Sequence, residues 1–448
     1  MSGAGARLPL MSLITELSER VPGRAFGPGT TEYDDGRTVF YGPGDPEVVF
    51  RPTTPDEVAA AVRAAVDANL PIAVRSGGHG SMPATGGAVI DLAEFDDIEL
   101  LDGDLVRVGS GAHWGDVAAA LAPHGLGITS GDTRDVGVGG LALGGGIGWL
   151  VRTHGLTVDL VREIEFVTAA GAVLTVTADS HPDLFWALRG GGGNFGIATR
   201  FTLQASPVGE LVGGHLQFDQ SQVGEVLRAW RDITVASPDE LNSTLTVMPA
   251  IMPEMPAGPQ LAVALRGTED ELRRLLDPLL SLPSVTDVTL GPLAYGDLLE
   301  QAPPGRPPFQ LVGGNGFATE LSDELLAAAE RAYTGPAPTM VMLRAMGGAF
   351  SRIAPEATAV AYRDAQALFM VNSLLPLDAP AADVAAVRLV VDEPLSYTTG
   401  SYSNFTQEFG DDVIATIYPP DTLARLRRVK KEFDPGDVFR PAHHIAPA

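Results

Sequence analysis

The sequence predicts an α+β protein of two domains, on three observations. Its 448 residues exceed the length, about 250–300 residues, at which a single hydrophobic core stops growing. Residues 48–75 read as strand, helix, strand, and short strands with a hairpin follow to about residue 205. After Ala205 the texture changes: glycine thins, and amphipathic helices at 221–236, 269–280 and 322–333 alternate with strands at 244–248, 261–265 and 340–344. The boundaries are therefore 1–205 and 206–400, with 401–448 as a C-terminal segment.

Each element has a local reason. Thr54-Pro55-Asp56-Glu57 reads as a capping box with proline at the first helical position, opening a helix to about Asn69. Val89-Ile90-Asp91 and 105–108 read as strands, and 114–124 as a helix. The runs 164–168 and 173–177 flank Ala170-Gly171 and read as a hairpin. Residues 180–188 read as a short capped helix and 197–203 as a strand. Proline-rich loops at 249–259 and 303–308 suit rims of a site. A basic amphipathic helix at 421–433 closes on the turn Asp434-Pro435-Gly436, and His443-His444 reads as a solvated tail.

Composition excludes several function classes. A net charge of −26 argues against nucleic acid and anionic membranes as partners. With no cysteine, disulfides, thiolate metal ligands and a cysteine nucleophile are excluded. No His, Asp and Glu cluster suggests a metal. The N-terminus lacks a basic-then-apolar leader, and no apolar run is long enough to span a bilayer, so the expected location is cytoplasmic.

The most informative stretch is Arg75-Ser76-Gly77-Gly78-His79, directly after the apolar run Pro71-Ile72-Ala73-Val74. Paired glycines let backbone N–H groups approach an anion, and the turn delivers an imidazole. The same residues also suit a plain tight turn with a surface histidine. Gly191-Gly192-Gly193-Asn194-Phe195-Gly196 matches the G-x-G-x-x-G dinucleotide pattern, and 137–142 matches it loosely. The fingerprint must follow a strand and open a helix. The run at 191–196 follows a helix and precedes a strand, and glycines at 144–146 would destabilise a helix over 137–146, so a Rossmann fold is not expected. Three glycine-rich loops, 75–80, 131–148 and 190–196, instead suggest an extended cofactor.

In these blocks the chain resembles the vanillyl-alcohol-oxidase superfamily, and within it the berberine-bridge-enzyme-like FAD-linked oxidases. The blocks are 75–79; Val136-Gly137-Val138-Gly139-Gly140 with Leu143-Gly144-Gly145-Gly146; Asp183-Leu184-Phe185-Trp186-Ala187-Leu188-Arg189-Gly190 with 191–196; Tyr402-Ser403-Asn404-Phe405; and Phe433-Asp434-Pro435. The resemblance implies a PCMH-type FAD-binding domain, 1–205 with 401–448 returning to it, and an antiparallel-sheet substrate domain over the flavin. It implies FAD bonded through His79 to the flavin C8-methyl. The cofactor-binding set it implies is Arg75, Ser76, Gly77, Gly78, His79, Gly80, Ser81, Gly131, Asp132, Thr133, Val136, Gly137, Gly139, Gly140, Gly146, Gly196, Ile197 and Asn404.

The departures are specific. Many relatives attach FAD a second time through cysteine where this chain has Thr133, which places it with the singly linked subgroup similar to 6-hydroxy-D-nicotine oxidase. Phe405 replaces a phenol that serves as base in relatives. Tyr402 and Asn404 are the catalytic candidates, with Val136 at an oxygen-gate position; Arg363 and Asn372 are further polar candidates near the ring. Arg363 beside Asp364 equally suits a surface ion pair. Phe317, Leu343, Phe350 and Phe369 are candidate apolar walls. The activity implied is hydride removal from a small alcohol or amine to FAD, with molecular oxygen as acceptor, in secondary metabolism. Alternatives are a dehydrogenase or oxygenating flavoenzyme of this fold, or a non-redox flavin-binding scaffold. A homodimer is compatible with the sequence.

Overall fold

The helix opened by Thr54 forms as Pro55–Asp67. Thr54 Oγ1 accepts from Glu57 N at 3.2 Å. The other half of the capping box is displaced by one residue: Glu57 Oε2 accepts from Thr53 N at 2.7 Å and from Arg24 Nε at 3.1 Å. Val58, Ala61, Val62 and Ala65 turn inward, and Asn69, with φ of 53°, ends the run. The helix links Val48–Phe50 to Ile72–Arg75, and both strands lie parallel to Ala88–Asp91. Ala25–Phe26 completes a four-stranded sheet. The computed structural model describes residues 10–80, 82–250, 256–302 and 308–448. Ser81 and parts of both proline-rich loops, 251–255 and 303–307, lie outside the described residues.

A five-stranded antiparallel sheet follows, in the order Val173–Val176, Val161–Thr168, Gly196–Gln204, Leu105–Gly109, Ile98–Leu100. The hairpin expected around Ala170-Gly171 is its edge. Three local expectations change. The helix after Ser180 is Pro182–Ala187, and no side chain caps it; Ser180 Oγ donates to Thr175 O instead. The 114–124 helix is Trp114–Leu121, finished by a 3-10 turn. Residues Val138–Gly144 do form a helix. The glycines after Leu143 stop it, with Gly145 at φ of 140°, and do not prevent it. It still does not follow a strand of its own sheet, so the argument against a Rossmann fold stands.

Seven antiparallel strands form the third sheet, in the order Val285–Leu293, Leu211–Phe218, Gly258–Arg266, Leu241–Met248, Thr339–Ala345, Ala367–Pro376, Phe309–Ala318. Period-two alternation gives it two faces. One face, with Leu245, Val341, Leu343, Phe369 and Val371, packs on Val223–Ala236, Glu269–Leu280 and Asp323–Thr334. The other carries Met342, Leu368, Met370 and Phe317 and packs on Ile147, Val151, Leu156 and Tyr402. Arg344 and Asn242 on this second face reach backbone carbonyls of 147–149. Among the described residues, no helix is long and apolar enough to cross a membrane.

The chain ends by returning from the seven-stranded sheet to the first two. Helix Pro420–Phe433 carries Lys430, whose ammonium is fully buried. Its three donors meet Asp434 Oδ2 at 2.6 Å, Phe439 O at 2.7 Å and Asn194 O at 2.8 Å. Asp437 stands 3.2 Å away. Removing the ammonium would leave Asp434 buried and uncompensated, which typically costs 3–5 kcal/mol. Lys430→Met is therefore expected to lower stability by about 3–5 kcal/mol in urea unfolding. A loss below about 1 kcal/mol would show that this pair does not hold the segment.

Candidate cofactor and active site

One cleft of about 410 Å³ brings together all three glycine loops. Its walls include Ser76 and Gly80 from the first, Gly139, Gly140 and Gly144 from the second, and 191–194, Gly196 and Ile197 from the third. Asn404 reaches it from the C-terminal segment. Ile72, Ala73 and Val74 supply an apolar floor, and residues 439–443 a wall. That wall is set by Asn194, whose side chain takes Ile445 N at 2.8 Å and donates to Gly191 O and His443 O. Sequence reading missed the wall; the only hint was the Lys430 and Asp434 spacing of four.

The other expected cofactor residues stand behind the lining. Arg75 turns to Asp91 at 2.9 Å and to Thr38 O at 3.0 Å. Asp91 is fully buried and also holds Arg51 at 3.1 Å, so Arg75 braces the turn. Gly77 and Gly137 meet backbone to backbone: a Cβ on Gly77 would stand 2.6 Å from Gly137 N. Their lack of side chains lets two loops touch. Gly140 and Gly80 differ, because a Cβ there meets nothing within 4 Å. Gly131 and Gly146 are crowded by Leu141 and by Thr157. Gly78 takes φ of 69°, a left-handed conformation that glycine adopts without strain.

His79 follows that turn and stacks on Phe40, ring centroids 5.0 Å apart. Its Nε2 is buried with no hydrogen-bond partner among the described residues. Burial pushes the imidazole pKa below its usual value, against the pull of Asp135 and Asp132. Asp132 pairs with Arg344 of the seven-stranded sheet, and its loop is tied to Glu300 through Glu300 N and Arg134 N. Burial raises the Asp132 carboxyl, but Arg344 and the Thr133 hydroxyl outweigh it and hold the pKa below the usual carboxylate range. Thr133 Oγ1 donates to Asp132 at 3.1 Å. Val136 is half-buried against the Trp114 cluster, and its carbonyl accepts from Trp114 N at 3.0 Å.

Tyr402 is buried beneath the 144–147 loop. Its hydroxyl accepts from Gly146 N at 2.8 Å, Ile147 N at 3.3 Å and Asn404 Nδ2 at 3.0 Å. Burial raises its pKa, partly offset by those donors. Phe405 packs edge-on against it at 5.3 Å. Arg363 is not a surface partner of Asp364. It is buried, with a two-pronged pair to Asp159 at 2.8 and 2.9 Å. Asn372 sits on the inner sheet face, across from Met340 and Gly313. Phe317 and Phe350 belong to the inner cluster, whereas Leu343 and Phe369 face the helices and cannot line a site. Nor is 443–444 a solvated tail. His444 Nε2 meets Asp437 at 2.7 Å, and His443 lines the cleft beside Phe409, its pKa lowered by burial.

The donor set fits an extended cofactor with a phosphate centre and a flat ring: open glycine backbone, an apolar floor and an unpartnered buried imidazole nitrogen. Comparison with known proteins agrees. An FAD binding domain model matches residues 46–177. The chain is 31% identical over 419 residues to an uncharacterized FAD-linked oxidoreductase, YgaK, of Bacillus subtilis, covering 90% of this chain and 91% of that one. Its structure is similar to 6-hydroxy-D-nicotine oxidase from Arthrobacter nicotinovorans, with a TM-score of 0.82, 25% identity and 96% and 98% of the two chains covered. A BBE-like 1 protein of Physcomitrella patens shares the fold, with a TM-score of 0.85 and 23% identity over 98% of this chain and all of that one.

Tyr402→Phe tests the loop anchor. It leaves two buried N–H groups without their acceptor, at about 1–3 kcal/mol each. The expected result is a lower urea midpoint with the unfolding slope unchanged; an unaltered midpoint would mean that water or a shifted loop replaces the hydroxyl.

Proposed function

This chain belongs to the FAD-linked oxidoreductases, and we propose that it is a berberine-bridge-enzyme-like oxidase of small alcohols or amines with FAD linked covalently through His79. The observation that carries this reading is the 75–80 turn. It puts the open backbone of Gly80 on the cleft directly after His79, a half-buried imidazole whose pKa burial lowers. FAD, when bound, supplies the two-electron acceptor for a hydride from the substrate carbon.

The chain's own residues bind, orient and exclude water. The open backbone at Gly80 and Gly140 suits the pyrophosphate, with the Gly77-Gly78 turn behind it and Ser76, Gly139, Gly196 and Ile197 around the remainder. Asn404 offers its amide at the cleft, steadied by its hydrogen bond to Tyr402. Phe405 holds no proton, so the phenol base of relatives is absent. Asp132, paired with Arg344 and held ionised, is an acceptor-only group. Phe317, Met342 and Met370, with Phe350 packed on them, give one apolar patch on an inner sheet face that also carries Arg344 and Asn372, and that patch suits a small or flat substrate over a long sugar chain. Thr133 offers no thiolate for a second link.

Molecular oxygen is the proposed acceptor, with Val136 as its gate. Interiors hold few spare voids, so one added methylene at a packed wall closes a path for a diatomic molecule. Anaerobic reduction by a turned-over amine or alcohol, then mixing with air, tests both parts. Fast reoxidation in the wild type and slow reoxidation in Val136→Leu are expected. Equal rates refute the gate. Slow reoxidation in the wild type makes the protein a dehydrogenase. Reduction only by oligosaccharides, tightening with chain length, overturns the substrate class.

A further inference from the structure

Phe40 and Tyr41 form the tip of a tight hairpin between Thr38–Val39 and Gly42–Pro43. Two-residue hairpin tips favour glycine, asparagine and aspartate. Two aromatic rings there are locally unfavourable, a conflict that points to use elsewhere. The tip is tied to the 75–79 turn from both sides. Phe40 N donates to Gly78 O at 2.9 Å, and Arg75 Nε donates to Thr38 O at 3.0 Å. The Phe40 ring lies on the His79 imidazole, centroids 5.0 Å apart and planes 24° from parallel. Tyr41 packs edge-on against Phe40 at 5.4 Å, and its hydroxyl accepts from Gln407 Nε2 at 2.8 Å. The hairpin is thus strapped over His79 and fastened to the C-terminal segment.

We propose that Phe40 is a positioning residue for attachment of His79 to the flavin: its ring fixes the plane of the imidazole and excludes water from the face it covers. This rests on the covalent reading above. In the attachment, a bond forms from an imidazole nitrogen to the C8-methyl carbon, while one methyl C–H bond and the imidazole N–H bond break. Two protons and two electrons leave to molecular oxygen, giving hydrogen peroxide.

The nucleophile is the neutral imidazole, so the stack has an electrostatic consequence. Burial lowers the His79 pKa, and the charges acting against it are Asp135 and Asp132, both on the 131–137 loop. Arg75 on the same turn is engaged by Asp91, and Tyr41, pushed up by burial, stays neutral. Exposing the covered face leaves the two aspartates acting alone, so the pKa rises and attachment fails at a higher pH.

The test uses full-length apo-protein from riboflavin-starved cells, mixed with FAD across pH 5–8. Acid-precipitable flavin is followed in time, and flavin binding before attachment is followed by fluorescence quenching. Phe40→Ala is expected to bind FAD but attach it on the order of tenfold more slowly. Its acid limb should move up by about one pH unit. Phe40→Tyr should restore both rate and limb. If the alanine variant does not bind FAD, Phe40→Leu keeps an apolar tip without a flat ring and is expected to show the same slowing. Wild-type rate and pH profile in a variant that binds FAD would overturn the proposal. No acid-precipitable flavin in the wild type at any pH would instead sink the covalent reading itself, and this proposal with it.

Discussion

A buried ammonium needs three acceptors, and Lys430 draws its three from separate parts of the chain. Asp434 lies on the turn after its own helix, Phe439 on the segment beyond, and Asn194 in the third glycine loop. Asp434 is fully committed in turn, taking Val438 N and Phe439 N at 2.9 Å each. Desolvating one charge is tolerable only when its partners are all in place. The C-terminal return can therefore sit in one register only. That register puts residues 439–443 opposite the 191–196 loop and makes a cleft of what would otherwise be an open glycine surface.

The seven-stranded sheet is seated on this base by a second set of buried polar contacts. Asp132 to Arg344 and Asn242 to 148–149 both run from the glycine-loop half to the inner face of the sheet. Asp159 meets Arg363 in the segment between two of that sheet's strands. Tyr402 is the nearest thing to a keystone, because its hydroxyl serves the 146–147 backbone while Asn315 of the sheet takes its main-chain N–H at 2.7 Å. The polar pairs fix how the two halves meet; the apolar cluster between them supplies most of the burial.

Much of this was legible in the sequence. The strand, helix and hairpin patterns came from periodicity, and the three glycine loops do converge. What glycine cannot disclose is what it approaches. Gly77 and Gly137 approach each other, while Gly140 and Gly80 leave open space, and only three-dimensional placement separates these uses. Charged residues misled for a similar reason. Arg363 has an acidic neighbour in sequence, but its partner is Asp159, brought from far along the chain. Lys430 reads as one more cation on a basic helix, and its burial depends on the returning segment at Phe439 and the loop at Asn194, which no local pattern records. Phe40 was invisible because an aromatic residue at a turn has no chemical signature until its ring is found on His79.

The proposed function stands on FAD joined to this chain at one residue. The intact protein, purified without added flavin and weighed by mass spectrometry under denaturing conditions, reads this directly, and peptide mapping assigns the position. The account predicts a single species heavier than the chain by one FAD less two hydrogens, with the flavin on the peptide containing His79. The bare chain mass, or flavin on any other residue, would contradict it.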